Sequence, residues 1–248
     1  AQPRGRVVPG QRVREAVTLL LVAAEPREFD GLLRRARGLR RLDWPVAWAR
    51  SVECGGRRLL LVANGAGAER AARATEAALR RERPGAVASV GFCGALDPAL
   101  EPGGVYVATS VDAGGCRFPA MDPGAVRPHA SGALASVARV ARTAAEKARL
   151  RAATGAGAVE MEAAGVARAA SRAGLPFFCV RSVTDRADES FVIDFDALLR
   201  GDGHFDTMLL LRVIVRKPAA ALPEVLRLWR RCRVAARNLG EFIADCRF

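Results

Sequence analysis

The sequence predicts an α/β fold around a largely parallel or mixed sheet, and three observations carry that prediction. Short continuous apolar runs recur along the chain, segments of helical spacing separate them, and half of the residues are hydrophobic. Continuous apolar runs fit strands that are covered on both faces. Their alternation with helices is the pattern of an α/β domain. The apolar content is enough for a core that needs no disulfide or metal to hold it.

Taken in order, strands are expected over residues 18–24, 58–63, 86–90, 104–111 and 177–183, with helices over 28–37, 68–83, 144–153 and 159–173. Residues 1–16 form a polar, arginine-containing leader, and residues 17–248 make one domain. Residues 112–132 carry Gly114-Gly115, Pro119, Pro123 and Pro128 and are expected to form a long loop of the kind that covers a site. From 222 to 246 the apolar residues Leu222, Leu226, Trp229, Cys232, Ala236, Leu239 and Ile243 share one helical face, while Arg227, Arg230, Arg233 and Arg237 occupy the rest. This C-terminal amphipathic helix either docks on the core with a solvated basic face or meets an anionic membrane surface.

Composition excludes more than it suggests. The net charge is +13, yet only Lys147 and Lys217 are lysines, and an arginine skew in an alanine- and glycine-rich chain is weak evidence for a nucleic-acid partner. One tyrosine and few aromatics offer little for stacking bases. The six cysteines are scattered without zinc spacing, and His129 and His204 are the only histidines. No metal site and no cofactor is expected, and the cysteines read as buried thiols of a reducing compartment. The longest apolar run is too short to span a bilayer or to form a signal-peptide core, so a cytoplasmic location is expected.

Chemistry needs convergent polar groups, and the acidic residues sit where they can converge. Glu25 and Glu28 follow the first strand, and Thr184-Asp185 closes the last. Ligands of open α/β sheets bind outside the carboxyl ends of the strands. Glu160 and Glu162 flank Met161 at the expected start of a helix, where residues two apart lie about 200° from each other and only one can face a common cleft. Gly65-Ala66-Gly67 offers backbone N–H groups to an anion, but it lacks the third glycine of a dinucleotide fingerprint and any Gly-Lys-Ser/Thr. Gly91-Phe92-Cys93-Gly94-Ala95 reads as a second tight turn. None of these features names a reaction.

Two longer segments do. Ala158-Val159-Glu160-Met161-Glu162-Ala163 and Pro176-Phe177-Phe178-Cys179-Val180-Arg181-Ser182-Val183-Thr184-Asp185 resemble the signature of the purine nucleoside phosphorylase and methylthioadenosine/S-adenosylhomocysteine nucleosidase superfamily. The resemblance extends through Glu25-Pro26-Arg27-Glu28-Phe29, Asn64-Gly65-Ala66-Gly67 and Gly91 to Leu96, and covers roughly residues 18–190. Within the superfamily, Leu96-Asp97-Pro98-Ala99-Leu100-Glu101-Pro102-Gly103 and Thr143-Ala144-Ala145-Glu146-Lys147 are most similar to the hopanoid-associated phosphorylase branch.

The resemblance implies a three-layer α/β/α fold with a twisted mixed sheet, and cleavage of a purine nucleoside at its N-glycosidic bond without a cofactor. It matches Asp185 to the acid that protonates the purine at N7, Glu162 to the carboxylate that grips the ribose hydroxyls, and Met161 to the side chain beneath the sugar. Glu28 matches the acid that activates water in hydrolytic members. Phe92, Gly67 and Thr184 complete the expected substrate contacts. The chemistry suits these residue types: a buried aspartate can hold a raised pKa and act as an acid near neutrality, and carboxylates stabilise the oxocarbenium-like sugar. Phosphorolytic relatives carry an arginine two residues before Gly91 and a serine or threonine after it; here stand Ser89 and Phe92. A phosphate would lose its charge-assisted contacts, so hydrolysis is favoured. The partner implied is a small nucleoside with a 5′ substituent, in the hopanoid branch a lipid-linked adenosine, and a homodimer is expected. The arm 191–206, with His204, departs from small-substrate nucleosidases, and is expected either to shape the entry for a bulky 5′ group or to be an ordered surface excursion. The alternatives are a phosphate-dependent purine nucleoside phosphorylase and a non-catalytic nucleotide- or nucleic-acid-binding module, whose binding would weaken steeply with salt.

Overall fold

The computed structural model describes residues 18–204 and 206–248; the leader expected over 1–16 lies outside the described residues. Its strands are β1 (Leu19–Ala23), β2 (Arg37–Arg41), β3 (Trp48–Cys54), β4 (Arg57–Ala63), β5 (Ala86–Ala95), β6 (Val105–Ala113), β7 (Cys116–Pro119), β8 (Ala130–Ser136), β9 (Ala158–Glu160) and β10 (Phe177–Asp185). The helices are the one-turn α1 (Asp30–Leu33), α2 (Ala68–Leu79), α3 (Ala144–Thr154), α4 (Ala163–Arg172), the short α5 (Phe195–Leu198), α6 (Thr207–Arg216) and α7 (Pro218–Asp245).

All strands join one mixed sheet in the order β10-β6-β8-β9-β5-β1-β4-β3-β2, with β7 paired to β6. β5 also pairs with β10, so β10, β6, β8, β9 and β5 close on themselves while β1, β4, β3 and β2 extend the open side. β1 runs parallel to β4 and β5, and β5 parallel to β10. The carboxyl ends of β1, β4, β5 and β10 therefore meet at one edge, and the loops that follow them build the site.

The continuous apolar runs have the physical cause expected of them. Along β1, Leu20 and Val22 pack in one cluster with the alanines of α2 and α4. Leu19, Leu21 and Ala23 pack in another with Phe29 and Leu32 on one side and Leu239, Phe242 and Ile243 of α7. A strand whose successive side chains meet two different helical layers has no solvent face to keep polar. This is the three-layer arrangement.

Several boundaries differ from the sequence expectation. The helix expected over 28–37 is a 3₁₀ turn, Pro26–Phe29, followed by one turn of α1, and the chain then enters the exposed edge strand β2. Glu28 ends the helical pattern early because its carboxylate turns inward onto the backbone N–H groups of Ala24 and Glu25. The tight turn expected at Gly91–Ala95 is a continuation of β5, held by register pairs to β10 and β9. The loop expected over 112–132 contains β7 and the start of β8, and none of its residues lines the site. The helix expected from Val159 is the short strand β9 followed by α4, which Glu162 opens. The C-terminal helix starts at Pro218 and not at Leu222, and Pro223 lies inside it. Only its second half docks as foreseen: Leu239, Phe242 and Ile243 are buried, whereas Leu222, Leu226 and Trp229 stay 44–53% exposed. Among the described residues, no helix is long and apolar enough to cross a membrane.

Candidate active site

A cavity of about 220 Å³ opens at the shared carboxyl edge, lined by Glu28, Phe92, Met161, Glu162, Thr184 and Asp185 among others. Six of the seven residues singled out from the sequence thus converge. Gly67 does not line the cavity; its N–H is committed to Glu162 Oε1 at 3.0 Å, so it acts only through that carboxylate.

Glu28 is held from three sides. Oε2 accepts the N–H groups of Ala24 and Glu25, both at 2.8 Å, and Oε1 accepts that of Phe92 at 2.9 Å. Burial raises its pKa against these bonds and the nearby Arg181 charge. A buried carboxylate with fixed orientation and elevated basicity can take a proton from water.

Beneath it lies a polar centre that the sequence did not disclose. Arg181 sits mid-way along β10 and is fully buried. Its Nη2 lies 2.6 Å from Glu160 Oε2 and 2.5 Å from Ser89 Oγ, and Nη1 is 3.9 Å from Glu162 Oε2. Gly91 is required here: a Cβ at that position would stand 2.5 Å from Glu28 Oε1 and 2.7 Å from Arg181 Nη1. Three carboxyl groups thus surround one guanidinium. In a low-dielectric interior one cation does not neutralise three anions, and Glu28 and Glu162 are both pushed above the ordinary carboxylate range. Glu162 shows it most, its pKa raised first by burial and then by the Glu160 charge.

Both glutamates of the Glu-Met-Glu motif reach this centre. The helical argument that only one could do so fails because Glu160 ends a strand and Glu162 precedes a helix. Glu160 Oε2 accepts the N–H groups of Glu162 and Ala163 at 2.9 and 2.8 Å, which fixes the first turn of α4 and with it Glu162.

Asp185 ends β10 and is also buried. Its Oδ1 accepts the Thr184 hydroxyl at 2.9 Å, and its Oδ2 lies 2.5 Å from Lys147 Nζ on α3. Burial raises its pKa, and the Lys147 charge opposes that rise. Gly94 leaves room for the carboxylate, since a Cβ there would stand 2.8 Å from Oδ2.

Two of the residues sequence reasoning missed left signals. Arg181 interrupts an apolar strand run, and a charge in such a strand must be paired. Lys147 is one of two lysines in an arginine-rich chain, on a segment of helical spacing.

A second, larger cavity of about 780 Å³ adjoins the first and shares Glu25, Arg27, Thr184, Asp185 and Phe191 with it. Phe195, Leu198, Leu210, Val225, Leu228 and Trp229 make it mainly apolar, and His204 stands at its wall, 3.0 Å from Glu25. The arm 191–206 thus contributes Phe191, Phe195, Leu198 and His204 to this wall.

The mixed sheet with helices on both faces is a fold this chain shares with solved nucleosidases. The chain belongs to the phosphorylase superfamily, whose family model matches residues 49–139 and 119–204. The 5′-methylthioadenosine/S-adenosylhomocysteine nucleosidase of Neisseria meningitidis, solved with methylthio-immucillin-A, superposes with a TM-score of 0.71 at 21% identity, over 92% of this chain and 97% of that one. The S-adenosylhomocysteine nucleosidase of Streptococcus pyogenes, in complex with 5-methylthiotubericidin, gives 0.71 at 18% identity over 94% and 97%. Futalosine hydrolase of Helicobacter pylori gives 0.70 at 16% identity over 93% and 97%. No curated protein sequence matches the chain.

Proposed function

We propose that the protein cleaves the N-glycosidic bond of an adenine nucleoside bearing a 5′ substituent, with water as the nucleophile. One observation carries this reading: Asp185, Glu162 and Glu28 come from three separate elements and line one cavity at the carboxyl edge of the sheet. Asp185 gives its proton to N7 as the bond from C1′ to N9 breaks, so adenine departs neutral. Glu162 holds the ribose hydroxyls, with Met161 beneath the sugar, and the carboxyl-rich wall of the cavity favours the developing oxocarbenium ion. Glu28 takes a proton from the water whose oxygen bonds to C1′. The proton then returns from Glu28 to Asp185 through solvent, and a 5-substituted ribose is released. Family membership and the shared fold support N-glycosidic cleavage as the reaction class.

Water is favoured over phosphate by how the turn at Gly91 is used. The Phe92 N–H is donated to Glu28, and Ser89, whose hydroxyl accepts from Arg181, is fully buried and off the cavity wall, so neither offers a phosphate a donor there. Phosphorolysis stands as the second reading on one observation, the two arginines Arg27 and Arg139 on the cavity wall.

The larger apolar cavity favours a bulky, apolar 5′ group, and a lipid-linked adenosine of the hopanoid type fits that description. The exposed Leu222, Leu226 and Trp229, among Arg227, Arg230 and Arg233, would suit a membrane surface from which such a substrate is drawn. The test is adenine release from adenosine, methylthioadenosine and a lipid-linked adenosine, with and without phosphate. Equal release in both buffers supports hydrolysis, and strict phosphate dependence replaces it with phosphorolysis. Absence of adenine from all three substrates in either buffer overturns the reading.

A further inference from the structure

One buried cation at the site has no part in that mechanism. Lys147 is 1% exposed, on the first turns of α3, and its Nζ meets three acceptors: Asp185 Oδ2 at 2.5 Å, the Arg186 carbonyl at 2.6 Å, and the face of Phe191, 5.2 Å from the ring centroid. This is the surrounding of an ammonium ion, whose hydrogens all require acceptors.

We propose that Lys147 is a positioning residue for Asp185, pinning Oδ2, leaving Oδ1 to carry the proton, and stabilising the carboxylate that remains when that proton has passed to the base. The proposal rests on Asp185 being the acid. Among the described residues, the hydrogen-bond partner of Oδ1 is the Thr184 hydroxyl, which also lies 3.2 Å from the Cys93 carbonyl. With one hydrogen and two acceptors within reach, that hydroxyl can turn to Cys93 when Oδ1 is protonated. The Oδ1–H bond breaks as the N7–H bond forms, and negative charge grows on Asp185. A cation already in place stabilises that charge more than it stabilises the neutral acid, and only such differential stabilisation speeds the step.

The same contact sets the pH at which the acid is lost. Burial raises the pKa of Asp185 and Lys147 opposes the rise. The other groups facing Asp185 are Glu189, after β10, which raises it further and is itself paired with Arg231 of α7 at 2.6 Å. The thiols of Cys93 on β5 and Cys232 on α7 are pushed up by burial and stay neutral. Among the described residues, Lys147 is the cation in direct contact.

The experiment is the pH profile of adenine release, from pH about 5 to 10, for wild type, Lys147→Met, Lys147→Arg and Asp185→Asn. Lys147→Met is expected to lower the plateau kcat by about tenfold or more, a fraction of what a positioned general acid supplies. Its alkaline limb should move up by about one pH unit or more, since a neighbouring opposite charge ordinarily lowers a carboxyl by 1–3 units. Lys147→Arg should keep the limb near its wild-type place. Lost packing alone would reduce kcat and leave the limb where it was, and that result overturns the proposal. Should Lys147→Met fail to fold, the wild-type protein decides by carbon NMR. The Asp185 carboxyl resonance, identified by its absence in Asp185→Asn, should titrate at the alkaline limb together with a shift at Lys147 Cε, and a Cε shift that stays constant through that step overturns the proposal. Asp185→Asn should release no adenine. Turnover in that variant removes the acid assignment itself, a different outcome from an unmoved limb in an enzyme that still needs Asp185.

Discussion

Phe92 donates its backbone N–H to Glu28 Oε1 at 2.9 Å, across the gap between β5 and the turn after β1. The other oxygen of Glu28 is bound to two further N–H groups. Each carboxylate oxygen is therefore an acceptor facing a donor, which offsets part of the cost of burying the charged form. In Glu28→Gln, the amide NH₂ would confront a backbone N–H whichever way the group is turned. We expect adenine release to fall by about 10²–10⁴ in this variant, the usual contribution of a positioned general base. The misplaced donor should cost about 1–3 kcal/mol of stability. Activity within threefold of wild type, measured by steady-state adenine release, would remove Glu28 from the reaction.

The carboxyl-rich surroundings of Arg181 predict a pH dependence of stability that can be assigned to one residue. Glu162 has its pKa raised from 4.5 to about 8, by burial first and the Glu160 charge second. A group raised on folding is protonated in both states below its unfolded pKa, and there its stabilising contribution is complete. Between about 4.5 and about 8 the unfolded chain ionises it more readily, and the contribution is lost as pH rises through the folded value. Glu162→Gln should thus match the wild-type Tm at pH 4 and exceed it by several degrees at pH 9, while its activity falls at every pH. A Tm difference that is constant between the two pH values would show that Glu162 ionises normally.

How far the site could be read from the sequence depended on whether the chain or the fold positions each group. Glu28, Thr184 and Asp185 were legible because they sit directly beyond apolar strand runs, and the strand's end fixes where they point. The Glu-Met-Glu motif was found but its geometry misread: a three-residue strand next to a helix has too short an alternation to separate from helical spacing. Arg181 and Ser89 belong to adjacent strands that lie far apart in sequence, and their 2.5 Å contact exists only through the β5–β10 pairing. Lys147 reaches Asp185 from α3 for the same reason. The edge strand β2, Arg37–Arg41, carries exposed arginines and no apolar alternation, so its sequence gave no strand signal at all; pairing to β3 alone makes it one.

Gly94 predicts a separation of activity from stability. Its place beside Asp185 leaves no space for a methyl group, because that Cβ would stand 2.8 Å from Oδ2. The carboxylate cannot give way freely, held as it is by Thr184 on one oxygen and Lys147 on the other. Gly94→Ala should therefore displace the acid, lowering kcat by about tenfold or more, with a stability loss of about 1–3 kcal/mol from local overpacking. The comparison is kcat against urea midpoint; an unchanged kcat would mean that the carboxylate position does not limit the reaction.

The apolar cavity beside the site makes a quantitative prediction about substrates. Its volume of about 780 Å³ exceeds the 220 Å³ of the carboxyl-lined cavity, and Phe195, Leu210, Leu228 and Trp229 offer it no hydrogen-bonding groups beyond the indole N–H. If the 5′ group of the nucleoside lies there, each methylene added to a 5′-alkylthioadenosine leaves water for an apolar wall, worth about 0.8 kcal/mol. That is up to about fourfold in kcat/KM for each methylene until the cavity is filled. Leu228→Trp narrows the same space, and it should flatten the dependence on chain length while costing methylthioadenosine less than the octyl homologue. A kcat/KM that is level from methyl to octyl in the wild-type enzyme would place the 5′ group elsewhere, and would leave the apolar residues of the arm and α7 without a role in substrate choice.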